Sequence, residues 1–204
     1  MAQGSRFCDV CLIVRDVIDQ VGKAGDLAFP IKVSSGILPV TAQRLSVGGS
    51  AFNVRTSRRE WRSDQFYSAL FRYTNHATII YSAELNLCWK RFSICKEAAH
   101  LLIDDAHAHF TTDVVGLIQR LITSAPMIEA DAILESELMG IVAAIELLMP
   151  WKLRQSFEAL GESGKTDFEI AEFCRVPEKF VNLMLKSPYG VTSRRVNSQL
   201  DGEI

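Results

Sequence analysis

The chain has 204 residues, 48% hydrophobic and 23% charged, which is ordinary material for one large globular domain. A net charge of −2 argues against a protein built mainly to hold nucleic acid, and no apolar run approaches the ~18 residues needed to span a bilayer. The first residues show no charged-then-apolar signal pattern, and five cysteines leave at least one unpaired, so a reducing, cytoplasmic compartment is expected.

Residues 5–22 carry Phe7, Val10, Cys11, Val14, Val17, Ile18 and Val21 at helical spacing, with Gly22 and Gly25 as a stop, which predicts an amphipathic first helix. Cys8 and Cys11 form a CxxC, but no second CxxC completes a zinc knuckle, and both read as core cysteines. Residues 26–50 hold Pro30, Pro39 and a Gly-Gly pair, consistent with a short helix between loops. Three segments rich in Phe, Tyr, Val and Ile follow at Ala51–Thr56, Phe66–Tyr73 and Ala77–Ala83. They predict a small antiparallel sheet, with Ser57–Gln65 as an exposed hairpin tip. Arg55, Arg58, Arg59 and Arg62 make either a solvated loop there or a local binding patch.

From Leu87 onward the pattern is helical, with segments near 89–104, 112–124, 130–149, 151–160, 167–174 and 178–186. Thr112 and Asp167 are plausible starts, and Pro126, Pro150 and Pro177 punctuate the run. Residues 1–190 read as a single domain, and 191–204 as a polar tail.

The chemistry centres on Lys96-Glu97-Ala98-Ala99-His100. On a helix, positions 96 and 100 lie one above the other with 97 beside them. Zinc peptidases place two histidines at that spacing to grip the metal, and a Glu after the first acts as base for the metal-bound water. Here the base, Glu97, and the second ligand, His100, are present, while lysine holds the first ligand position.

The neighbours extend the pattern. Ile79-Ile80-Tyr81 leads to Arg91-Phe92-Ser93-Ile94 and then this helix; Glu146-Leu147-Leu148-Met149-Pro150 closes a later one. The run Asp167 to Pro177 and a last helix complete the order. In this order and spacing, residues 77–186 resemble the ImmA/IrrE family of metallopeptidases. The resemblance implies an α+β fold: a predominantly helical, zincin-like domain with a small three-stranded antiparallel sheet. It also implies a third zinc ligand at Glu137, facing His100. Glu137 is unusual in its own right, because it sits beside the apolar stripe of Leu138, Ile145 and Leu148, where an unpaired charge is costly.

The chain departs from the family pattern at Lys96, at Ala99 for glycine, at Ile141 for asparagine and at Ala143 for phenylalanine. Two ligands hold zinc less well than three, and a protonated lysine repels the cation. Lys96 is therefore expected to substitute for the metal, neutralising part of the charge of Glu97 and Glu137 and holding the two helices together. The expected role is a regulatory or protein-binding relative of the peptidases without a cofactor. By resemblance, its partner is a helix-turn-helix repressor of the kind such peptidases cleave, often encoded by phages or mobile elements, docked in the former substrate groove.

Two alternatives stand beside it. One is an active zinc peptidase with Glu97 as base, recruiting His107, His109 or a cysteine, although His107 and His109, with Asp104 and Asp105, read more simply as a polar loop. The other is a DNA-associated regulator using the arginine cluster and the terminal helices, in which few groups suit base reading.

Overall fold

In a computed structural model of the chain, the described residues are 2–25, 27–46, 50–62, 67–103, 114–123 and 132–202. The first helix, α1 (Ala2–Lys23), buries Phe7, Val10, Cys11, Val14, Val17, Ile18 and Val21. A single wide turn, Val33–Ile37, runs directly into α2 (Leu38–Leu45). Three strands follow, β1 (Asn53–Arg59), β2 (Ser68–Arg72) and β3 (His76–Ser82). Then come α3 (Leu87–Leu102), α4 (Val114–Thr123), α5 (Ala132–Leu148), α6 (Arg154–Glu162), α7 (Asp167–Cys174), α8 (Glu178–Lys186) and α9 (Pro188–Asp201). The fold is α+β and predominantly helical.

The sheet corrects one expectation: it is mixed, not antiparallel. Its strand order is β1-β3-β2. β2 and β3 form an antiparallel hairpin, whereas β1 runs parallel to β3 from Asn53↔His76 to Arg59↔Ser82. Ser57, Arg58 and Arg59 belong to β1 rather than to a hairpin tip. The physical reason lies in the strands themselves. β3, His-Ala-Thr-Ile-Ile-Tyr-Ser, buries Ala77, Ile79 and Tyr81 and suits a central position with both edges bonded. β1 carries three arginines, the type of strand that tolerates an open edge. Taking neighbours in the chain as neighbours in the sheet missed that sorting.

α3 starts at Asn86, whose side chain accepts a hydrogen bond from the Trp89 backbone N–H at 3.0 Å. Arg91 then fastens its first turns, donating to the carbonyls of Ile31 at 2.7 Å and Arg175 at 3.0 Å. Every residue from Phe92 to Leu101 is buried, because α3 lies between the sheet and α5. A helix covered all round needs no amphipathic stripe. Any polar residue inside it needs a partner instead.

The stretch expected as a polar tail, 191–204, lies mostly in helix α9, which buries Ser193 and Asn197 within that stretch and Tyr189 just before it. Its polarity has a target. Glu146 of α5 is buried and accepts from Tyr189 Oη at 2.9 Å, from Ser193 Oγ and from Arg154 Nη2 at 3.3 Å. Arg15 of α1 closes the other side, donating to Asn197 at 3.0 Å and Asp201 at 2.7 Å. α8 buries Phe180, Val181, Leu183 and Met184, and its Lys186 is paired with Asp167 of α7 at 2.8 Å.

Candidate functional site

Besides the Glu146 cluster, the described residues bury a second group of charges where α3, α5 and β2 meet. There Lys96, Glu97 and His100 of α3 face Glu137 of α5 and Ser68 of β2, all of them buried. Lys96 is 4% exposed and Glu137 2% exposed, so neither reaches bulk water. The Lys96 ammonium stands 3.1 Å from Glu97 Oε1 and 3.1 Å from Glu137 Oε2. Ser68 Oγ donates to Glu97 Oε1 at 2.7 Å. His100 Nε2 lies 3.8 Å from Glu137 Oε1.

Burial alone would lower the lysine pKa, but the adjacent Glu97 and Glu137 carboxylates outweigh it and hold the group above its ordinary value. Lys96 is therefore an ammonium at neutral pH, with three N–H donors and no lone pair to offer a metal. It is also no general base. One positive charge sits between two carboxylates in a dry environment, where a lone charge would be far more costly.

The backbone explains why these groups meet. Residues 96 and 100 share one face of α3 by the i, i+4 rule, with 97 next to them. α5 crosses that face closely, and at the crossing it carries Gly140. A Cβ built on Gly140 would lie 2.6 Å from both Cε1 and Nε2 of His100, so the imidazole occupies the space a side chain would fill. Gly140→Ala is expected to displace the ring and destabilise the protein by roughly 1–3 kcal/mol, read as a lower melting temperature.

Sequence reasoning brought Lys96, Glu97, His100 and Glu137 to one place, and they are together. It missed Ser68 and Gly140. Gly140 carried a signal, since a glycine inside a long helix costs about 1 kcal/mol and calls for a packing reason. Ser68 carried none. Cys95, read as core, is fully buried, and burial pushes its thiol up to about 12. Cys11 is buried and Cys8 half-buried, both free thiols. His107, His109, Asp104, Asp105 and Thr112 lie outside the described residues.

Zinc is what this arrangement would hold in a peptidase, so the donors can be tested against it. Two ligands about 2.0–2.1 Å from a tetrahedral zinc stand roughly 3.4 Å apart, close to the His100–Glu137 separation of 3.8 Å. The third corner is taken by the Lys96 ammonium. Among the described residues no three His, Cys, Asp or Glu side chains converge on a point that would hold a metal. The described donor set does not fit zinc. No described helix is long and apolar enough to cross a membrane.

No curated protein matches the chain. A peptidase family model does, described as the IrrE N-terminal-like domain, and it covers residues 51–186, from just before β1 to the end of α8. That match spans the sheet, the Lys96–His100 helix and the helix bearing Glu137, about two thirds of the chain. The chain therefore belongs to the ImmA/IrrE family of metallopeptidases, through its IrrE N-terminal-like domain.

Proposed function

We propose that this chain is a non-catalytic member of its family, acting in the cytoplasm as a regulatory or protein-binding module without a metal. The observation that carries the reading is the Lys96 ammonium between the carboxylates of Glu97 and Glu137. Glu97 would be the general base in a working peptidase, taking a proton from a metal-bound water. Here its Oε1 is engaged by Lys96 and by Ser68 Oγ. The fold is kept while a side chain supplies half of the charge that a zinc dication would bring. A helix-turn-helix repressor, the kind of protein that family members cleave, is the proposed partner, held rather than cut.

The test uses the purified, untagged protein. Elemental mass spectrometry should find it empty of zinc, and added zinc should produce no cleavage of casein. Calorimetry with a purified helix-turn-helix repressor should show binding with the repressor left intact. Stoichiometric zinc together with proteolysis that Glu97→Gln abolishes would establish the peptidase instead, with a ligand drawn from elsewhere in the chain. Failure to bind any such repressor would remove the protein-binding half of the reading.

A further inference from the structure

The sheet has two faces with opposite characters. One presents Ala77, Ile79 and Tyr81 of β3, all buried, and packs on α3. Side chains alternate along a strand, so His76, Thr78 and Ile80 point the other way. The register carries this second face across all three strands. Arg55 of β1, Thr78 of β3 and Phe71 of β2 form one row, and Ser57, Ile80 and Ala69 the next. In that second row Ala69 is buried and Ser57 and Ile80 are half-buried, so the face is open mainly along the first row. Tyr73 extends the face beyond β2, its backbone N–H donating to the His76 carbonyl at 2.8 Å. By the same alternation Arg59 lies on this side of β1 with Arg55. The described helices that pack on the sheet, α2 and α3, touch each other and so belong to the first face.

What this second face exposes is specific. Phe71 is 43% exposed and Tyr73 52%, large rings left open at the surface. The Tyr73 ring is held in place by His76, stacked at 4.4 Å with an interplanar angle of 11°. Arg55 and Arg59 are exposed, and neither has a carboxylate partner among the described residues. They stand four residues apart on one strand, about 13 Å, and the rings lie two strands away, about 10 Å. Arg58, on the same strand, is paired only loosely with Glu60 at 3.6 Å.

We propose that this open sheet face is a binding platform for single-stranded nucleic acid, with Phe71 and Tyr73 stacking on bases and Arg55 and Arg59 contacting the phosphates. A sheet face bearing exposed aromatic rings beside exposed arginines is the arrangement that single strands use, because every base offers a π-face and the backbone supplies the charge. A duplex hides its base faces and is the wrong shape. The overall charge of −2 is no obstacle, since β1 itself carries three arginines and no acidic residue. The platform is on the side of the sheet away from Lys96 and Glu137, so it stands or falls independently of the reading of that site.

The experiment is fluorescence anisotropy with labelled short oligothymidylate and oligouridylate, a duplex of the same length and polyglutamate as competitor. Both single strands should bind at low salt and weaken as salt rises, and their relative affinities show whether the ribose hydroxyl is read. Arg55→Glu with Arg59→Glu should weaken binding at least about tenfold and flatten the log–log salt slope by roughly 1.4, at ~0.7 for each phosphate no longer neutralised. Phe71→Ala with Tyr73→Ala should weaken it by about tenfold or more and leave the slope unchanged. All four positions are exposed, so melting temperatures should stay near wild type. Absence of binding at low salt overturns the proposal, as does equal affinity for the duplex. Displacement by polyglutamate combined with indifference to the Phe71 and Tyr73 variants also overturns it, and would mark the face as a site for acidic peptide.

Discussion

Replacing Lys96 by methionine should lower the melting temperature by roughly 10 °C, although the change keeps most of the side-chain volume and adds no polar group. The stem remains packed, so the loss isolates the charge. Removing one partner from a buried ion pair costs about 3–5 kcal/mol, because the charges left behind have neither water nor counter-ion. In a chain of this size each kcal/mol corresponds to ~2–4 °C. Here the groups left behind are Glu97 and Glu137, each 3.1 Å from the vanished ammonium. Adding Glu97→Gln and Glu137→Gln to Lys96→Met should recover much of the loss, since neutral groups no longer need the cation. The pH dependence has a definite sign. The lysine pKa is raised on folding, so its contribution is complete below the ordinary value of 10.5 and is lost as pH climbs through the folded value. Wild-type stability should therefore fall at strongly alkaline pH by more than that of Lys96→Met. An unchanged melting temperature in Lys96→Met at neutral pH would show that the ammonium is not what holds α3 to α5.

Much of this site was legible because its elements are local. Lys96, Glu97 and His100 lie within two turns of one helix, and the 3.6-residue period places them without knowledge of the rest of the fold. Glu137 is 41 residues from Lys96, and its place was implied by the family resemblance, counted back from the Leu147-Leu148-Met149-Pro150 helix end, with the cost of a carboxylate on an apolar stripe in agreement. The helices of the core were legible for the same reason: periodicity is a local signal. What escaped was long-range pairing. Nothing in Asn53–Arg59 states that it skips β2 to lie beside β3; that follows from which strand can bear an open edge. Glu146 reads as one more residue at a helix end, whereas its partners Arg154, Tyr189 and Ser193 lie 8, 43 and 47 residues away. Because its residues are largely polar, the segment that supplies Ser193 looked like a tail. A polar helix whose buried face answers a buried carboxylate has the composition of a solvated one, and only packing tells them apart.

Lys96→His should convert the protein into one that carries about one zinc per chain. The substitution removes the ammonium and sets an imidazole one helical turn from His100, on the same face of α3. His100 and Glu137 already stand 3.8 Å apart, within a few tenths of an ångström of the separation a tetrahedral zinc imposes. Gly140 leaves the room in which the His100 ring lies. Three protein ligands then surround a position from which one has been missing, and Glu97, with Ser68 on its carboxylate, is left beside the metal as an outer neighbour rather than a ligand. Bound zinc stabilises only the folded chain, so at about a hundredfold excess over its dissociation constant it should add about 2.7 kcal/mol, and a chelator should reverse the gain. The controls separate ligands from bystanders. Glu137→Ala in the Lys96→His background should abolish uptake, whereas Glu97→Gln should leave it intact. Gly140→Ala should weaken it, because the ring that must point at the metal loses its place. If the Lys96→His protein is folded and takes up no zinc, His100 and Glu137 are not the two surviving corners of a metal site. The pairing of Lys96 with two carboxylates would then be a structural ion pair with no connection to the family's chemistry. Uptake of zinc that depends on Glu137 and not on Glu97 would instead mean that a single side chain separates this fold from the metal its family is built around.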